Sequence, residues 1–253
     1  MKYGISNLAI VPMRNEAADQ EEMVNQILFG EHFKIIDVKK KWSKVRLAHD
    51  GYEGWICNKQ WIEIDEDSYN QLDKEISTMS TDILDIISKD HHQPIVIGSI
   101  LPSYKSGHAL INNDMYQFDG LTTAGFTQKK KLVESALMYL NTPYLWGGRS
   151  PLGIDCSGFT QMVYRLQGIK LPRDAYQQAD LGKSINLPEA EPGDLAFFEN
   201  NEEKVIHVGI IMKNNHIIHA SGKVRIDRID QQGIFNPNLG SHTHKLRFIR
   251  NIC

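Results

Sequence analysis

The sequence predicts an α+β protein, with one or two small β-barrels ahead of a mixed domain of helices and antiparallel strands. Three observations carry the prediction. Residues 41–47 alternate, turn at Asp50-Gly51 and return through residues 53–57, a hairpin pattern. Asp155 precedes a run in which Phe159, Met162, Val163 and Leu166 recur at helical spacing. Residues 206–210 and 217–222 read as strands on either side of the turn Asn214-Asn215.

The barrels come first in the chain. Residues 1–65 read as short strands with turns, close-spaced as in a small barrel. Trp42 and Trp55 are predicted in its core. Residues 15–26 are rich in acidic and polar side chains and form its long, solvated loop. Residues 66–124 make a second module. It opens with a helix over residues 66–88, on the spacing of Leu72, Ile76, Met79, Ile83 and Ile87, capped by Asp67 or Ser68. Short strands follow at residues 94–98 and 109–111 with a turn at Asn113-Asp114, suggesting a second, degenerate barrel. His91 and His92 are adjacent and face different ways, a poor arrangement for a metal pair.

Residues 125–253 form the third module. A helix runs from an N-cap at Thr127 to Leu140, with Val133, Ala136, Leu137 and Leu140 on one face, and stops at Asn141-Thr142-Pro143. The helix behind Asp155 ends at Gly168, as a C-terminal glycine should end it. Residues 171–178 make a polar loop entering a short helix. Pro192-Gly193-Asp194 turns into a strand at residues 195–198.

Composition bounds the function. With 253 residues, 41% hydrophobic and 23% charged, the chain reads as soluble and globular. A net charge of -3 and the lack of a basic block argue against a nucleic-acid partner. The three cysteines, Cys57, Cys156 and Cys253, cannot all pair, so a reducing compartment is expected rather than a disulfide framework. The first residues hold no apolar run of signal length, and no stretch could span a membrane. A cytoplasmic monomer is the expectation, although a chain whose leader had been removed would read the same.

Cys156 is the residue around which the chemistry is organised. It falls in the first turn of a helix, where unpaired N–H groups and the helix dipole favour a thiolate over the ordinary thiol of pKa about 8.5. Its own N–H would be free to serve an oxyanion. Small residues and a glycine-rich, aromatic run, Tyr144-Leu145-Trp146-Gly147-Gly148-Arg149, surround it, as suits a cleft. His207 and His219 lie on the two strands around Asn214-Asn215 and can approach each other. His207 would take the thiol proton and return it to the leaving amine. His219 would hold the tautomer of His207. A zinc site of Cys156, His207, His219 and His242 or His244 is disfavoured, because no Cys-x-x-Cys or His-x-x-x-His pair is present to clamp an ion. No cofactor and no metal are expected.

These motifs resemble the NlpC-type cysteine peptidases of bacterial cell-wall metabolism. Tyr-x-Trp-Gly-Gly, Asp-Cys-Ser-Gly, Pro-Gly-Asp-Leu, His-Val-Gly-Ile and His-Ala-Ser-Gly follow in order between Tyr144 and Gly222. The resemblance implies a papain-like catalytic domain of helices packed on an antiparallel sheet, with Cys156 as nucleophile, His207 as base and His219 as third catalytic residue. Residues 42–45 and 51–56 resemble the Trp-x-x-Val and Gly-x-x-Gly-Trp-Ile stretches of bacterial SH3-like domains. One branch of the family, the γ-D-glutamyl-L-diamino acid endopeptidases of the dipeptidyl-peptidase VI type, joins SH3-like barrels to this catalytic domain.

The branch implies a substrate. It is a free murein peptide, L-Ala-γ-D-Glu-diamino acid, cut after the glutamyl residue. By the same resemblance Asp174, Glu22 (with Glu21 as its rival) and Tyr52 hold the free L-Ala amine, while Trp146, Asp155 and Ser157 line the groove. A buried ammonium needs such partners, and an acylated amine would leave them unpaired. The implied role is recycling of murein peptides. The alternatives are an exported wall-remodelling endopeptidase, a non-catalytic peptidoglycan-binding module, and thioester acyl transfer on the same Cys-His chemistry.

Overall fold

The computed structural model describes residues 2–125 and 129–252. The chain packs as two units, Met1–Phe126 with Trp146–Pro151, and Thr127–Leu145 with Leu152–Cys253.

In the first unit, strands Lys2–Ile5 (β1), Ile10–Arg14 (β2), Met23–Leu28 (β3), His32–Val38 (β4), Trp42–Leu47 (β5), Glu53–Cys57 (β6) and Ile62–Ile64 (β7) form a seven-stranded sheet in the order β3-β2-β6-β5-β4-β1-β7. The Asp-Gly hairpin is as expected, pairing Trp42 with Cys57 and Arg46 with Glu53. Val11, Met13, Ile27, Phe33, Val45 and Ile56 make the core of this small barrel. Trp55 is buried, but Trp42, at the start of β5, is only partly so. The acidic loop is shorter than predicted. Asn15 N–H bonds the Glu22 carbonyl, and residues 23–26 are strand because Val24 and Ile27 reach the core face.

The predicted long helix over residues 66–88 is instead a nine-residue helix, Glu66–Lys74 (α1), capped by Asp65. The Asp65 carboxylate accepts the Ser68 N–H at 2.7 Å, so the cap lies two residues before Asp67 and three before Ser68, the predicted caps. Glu75 is already extended. The Ser77-Thr78 and Ser80-Thr81-Asp82 stretches favour turns and strands over helix interior. Strands Met79–Ser80 (β8) and Leu84–Ser88 (β9) take the rest of the segment. Then come His92–Val96 (β10), His108–Ile111 (β11), Asp114–Gln117 (β12) and Thr122–Thr123 (β13). They form a four-stranded sheet, β10-β9-β12-β11, and the pair β13-β8. The turn between β11 and β12 is Asn112-Asn113, with Asp114 already paired to Ile111. His92 bonds the Ser88 hydroxyl at 2.7 Å. One apolar cluster, including Tyr3, Ile5, Phe29, Ile64, Ile87, Ile95, Tyr116 and Phe118, draws on both sides of residue 65. The two-residue strand Arg149–Ser150 (β14) completes this unit.

The second unit begins in described residues with helix Lys129–Leu137 (α2); the Thr127 cap lies outside them. Its buried face is Leu132, Ser135 and Ala136, continued by Tyr139, while Leu137 and Leu140 are exposed. The predicted face was thus rotated by about one residue. Asn141, in the left-handed conformation, ends the segment. After the short strand Gly153–Ile154 (β15) comes helix Cys156–Arg165 (α3), all ten residues of which are buried. Helix Ala175–Gln178 (α4) follows. Strands Lys183–Ile185 (β16), Leu195–Glu199 (β17), Val205–Met212 (β18), His216–Ser221 (β19), Lys223–Asp230 (β20), Gly233–Asn236 (β21) and Ser241–Asn251 (β22) form the sheet β16-β22-β17-β18-β19-β20-β21. Strand β22 also pairs with β21, so the sheet curls back on itself. Helix α3 packs on β18 and β19, with α2 against α3. This is the helix-on-antiparallel-sheet arrangement expected for residues 125–253.

Candidate active site

Cys156 is the first residue of α3. The Asp155 carboxylate caps the helix, accepting the Gly158 N–H at 2.7 Å. The sulfur faces the N–H groups of Val208 and Ser157. Cys156 is only 6% exposed, and that decides its resting state. Burial pushes the thiol up to about 12, with the Asp155 carboxylate acting the same way; the Val208 and Ser157 N–H groups and the Arg173 guanidinium oppose this without cancelling it. The helix N-terminus therefore does not leave a resting thiolate, contrary to the expectation from sequence. Tyr144 lies near enough to feel the same charges, and burial with Cys156 and Asp155 raises its phenol, which stays a neutral O–H donor.

The two histidines meet as predicted. Asn214 and Asn215 are both left-handed, the signature of a tight hairpin turn that asparagine tolerates. The turn sets Gly209 opposite His219. A Cβ at Gly209 would lie 2.8 Å from the His219 Cβ, so only glycine leaves room for the ring. His207 Nε2 is 2.8 Å from His219 Nδ1, with the rings edge-on. Burial, His219 and His244 together hold the His207 imidazole well below its usual range, so the ring rests neutral. Cys156 thus rests as a neutral thiol and His207 as a neutral imidazole, both buried.

Two residues here, Asp227 and Arg225, escaped sequence reasoning, and His244 entered it only as a possible zinc ligand. His219 Nε2 lies 3.0 Å from the Asp227 carboxylate, which is itself held by Arg225. Burial pushes the Asp227 carboxyl up, but the hydrogen bonds from His219 and Arg225 outweigh it and keep the group ionised. His244 stacks on His207 at 4.3 Å between ring centres. Burial, then His219, lowers His244 to about 4. His242 pairs with Asp230 instead. Among the described residues no group of three or more His, Cys, Asp or Glu is placed to hold a metal ion.

Asp155 and Ser157, predicted to line the substrate groove, lie together beneath the start of α3. Arg173 bonds Asp155 at 2.6 Å and the Ser157 hydroxyl at 3.0 Å, and all three side chains are buried. Arg173 went unremarked in sequence because a lone arginine in a polar loop reads as solvated. Asp174, its neighbour, is half-buried at the start of α4, where its N–H bonds the Gln177 side chain.

The remaining predicted residues belong to the first unit. The exposed Trp146 indole donates to the Glu22 carboxylate at 2.5 Å. Glu21 offers its backbone carbonyl to Arg14. Tyr52 packs, half-buried, on the barrel core. The segment carrying Trp146 is anchored by Arg149, fully buried, which makes paired 3.0 Å bonds to Glu31. The Arg149 N–H also bonds the Gln26 side chain at 2.8 Å.

Comparison with known proteins shows what two stretches of this chain are similar to. The model described as the NlpC/P60 family matches residues 141–242, and the one described as the bacterial dipeptidyl-peptidase Sh3 domain matches residues 13–60. A γ-D-glutamyl-L-lysine dipeptidyl-peptidase of Bacillus cereus is 29% identical, over 79% of this chain and 67% of that protein. Dipeptidyl-peptidase 6 of Lysinibacillus sphaericus is 29% identical over 89% of this chain and 92% of its own. A crystal structure of an NlpC/P60 family protein from Bacillus cereus superposes with a TM-score of 0.83 at 20% identity, covering 99% of each chain, which establishes a shared fold.

Proposed function

We propose that this chain, an NlpC/P60 cysteine hydrolase carrying a bacterial SH3 domain, cleaves the γ-D-glutamyl–diamino acid bond of murein peptides whose L-Ala amine is free, releasing L-Ala-γ-D-Glu. The observation that carries the reading is the buried Cys156 at the start of α3 with Val208 N–H on its sulfur, one residue beyond a His207 already paired to His219. The name of the Bacillus cereus relative supports the bond type.

The steps follow from the residues. The Cys156 thiol gives its proton to His207 as the sulfur attacks the glutamyl γ-carbonyl carbon. The oxyanion that forms takes hydrogen bonds from N–H groups at the start of α3. His207 then protonates the departing amine as the C–N bond breaks, leaving a thioester. Water, deprotonated by His207, attacks the thioester and frees the acid and the thiol. We assign the substrate's L-Ala ammonium to Asp174, with Glu22 and Tyr52 as further partners. We also assign the activity to cytoplasmic recycling by a monomer.

The test is mass spectrometry of the intact protein with L-Ala-γ-D-Glu-meso-diaminopimelate, its L-lysine analogue and the N-acetylated forms of both. Cleavage of free-amine peptides only, abolished in Cys156→Ala, is the expected result. Asp174→Asn should raise KM by about ten- to a hundredfold with kcat little changed, as loss of a charged hydrogen-bond partner does. Equal cleavage of the acetylated peptides would discard Asp174, Glu22 and Tyr52 as amine ligands. Efficient cleavage of intact sacculi, or export of the native protein, would discard the recycling role.

A further inference from the structure

We infer that Asp227, braced by Arg225, is a positioning residue that sets which ring nitrogen carries the proton in His219 and, through it, in His207. The inference rests on the reading of His207 as base. A carboxylate only accepts hydrogen bonds. Asp227 is buried, and its Oδ2 lies 3.0 Å from His219 Nε2, so that nitrogen must carry a hydrogen. In a neutral ring the other nitrogen, Nδ1, is then bare and can only accept. It lies 2.8 Å from His207 Nε2, which must donate. The chain of donors leaves Nδ1 of His207 as the bare nitrogen, the one form in which this ring can take a proton from a thiol.

Arg225 gives the arrangement its second half. Its Nη2 donates to Asp227 Oδ1 at 2.8 Å, and its Nε lies 2.7 Å from Oδ2 as an ion-pair contact without hydrogen-bond alignment. The guanidinium shares the carboxylate's charge and fixes the orientation in which Oδ2 meets His219 Nε2. The groups facing the pair are Phe198 on β17, His244 on β22 and the Asp227–Arg225 pair on β20; His244 is held neutral and adds no charge. Strand register builds the relay. The turn at Gly222 places Arg225 opposite His219 and Asp227 opposite Ile217, on the histidine face of the sheet.

Asp227→Asn makes a sharp test. Arg225 would claim the amide oxygen, turning the NH2 toward His219 Nε2. That nitrogen would then have to accept, and both tautomers would invert. Nitrogen-15 NMR of the intact, histidine-labelled protein reads the tautomers directly. The expected spectrum shows hydrogen on Nε2 of both His219 and His207 in the native chain, and on Nδ1 of both in Asp227→Asn. The kcat on the tripeptide should fall about 10²–10⁴-fold, the range of a lost acid–base group, with KM changed less than about threefold. Asp227→Glu should recover part of kcat and the native tautomers. Hydrogen on Nδ1 of His207 in the native protein would overturn the inference without any variant, whether or not Asp227→Asn folds. So would Asp227→Asn with kcat within about threefold of native while Cys156→Ala is inactive. Activity surviving in Cys156→Ala would instead sink the underlying peptidase reading.

Discussion

At Cys156 burial and the helix terminus act in opposite directions on one thiol. The N–H groups of Ser157 and Val208 favour the anion, but burial and Asp155 win, and the thiol is pushed up to about 12. Cys156 and His207 therefore both rest neutral, and in the proposed reaction the proton moves only as the sulfur attacks. Alkylation by iodoacetamide reports this state. The rate at Cys156, followed by mass spectrometry, should be slow at neutral pH and still climbing above the ordinary thiol value of about 8.5. A rate already level below neutrality would mean a resting thiolate–imidazolium pair. Gly209 shows the same scale of constraint by sterics. Gly209→Ala should lower kcat by displacing His219, since its Cβ has no room beside that ring.

Among the elements, the segment Trp146–Pro151 depends most on a few contacts. Gly147 is left-handed, and a Cβ there would run into the Met23 carbonyl of β3. Two positions on, Arg149 is sealed against Glu31, with exposures of 0% and 3%, so neither charge can fall back on water. Removing one partner strands the other, which costs about 3–5 kcal/mol in buried pairs. Glu31→Gln should lower the urea midpoint of the intact protein accordingly; a loss under about 1 kcal/mol would mean that water reaches Arg149. The strand pair β19–β20 makes a second case. Alternation in β20 gives every other residue to one face, yet that face is partly covered, which is how Asp227 becomes a buried group.

For the molecule as a whole, the consequence of burying neutral histidines is acid sensitivity. His207 is held well below 6.5 and His244 lowered to about 4 in the folded state, whereas both titrate near 6.5 when unfolded. Below 6.5 the unfolded chain binds more protons, so stability falls as pH falls, through the window from 6.5 to 4 and beyond for His207. Asp227 has a lowered folded value, and its contribution, full above the unfolded carboxyl pKa, is lost in the same direction. Calorimetry should show Tm dropping across this window. His244→Phe, which keeps a ring on His207 without a titrating nitrogen, should show a smaller drop. A Tm flat down to about pH 4 would contradict neutral burial of these rings.

The placement of Cys156, His207 and His219 was legible in the sequence because it is set locally in the chain. A capping Asp155 before helical spacing placed Cys156 in a first turn, and an Asn-Asn turn between two apolar strands brought His207 to His219. Both depend on residues a few positions apart, where capping and turn geometry act directly. The Asp-Gly hairpin of the barrel was legible for the same reason. Only the tertiary structure decided the rest. Leu72, Ile76 and Met79 satisfy helical spacing, but the chain leaves the helix at Glu75 and pairs its next residues as strands, where partners far away in sequence cover Ile87. Whether Asp227, Arg173, Arg149 or His244 is solvated or sealed depends on which strand lies across from it. Register and burial are set by long-range packing, and they also set the protonation states on which the proposed reaction runs.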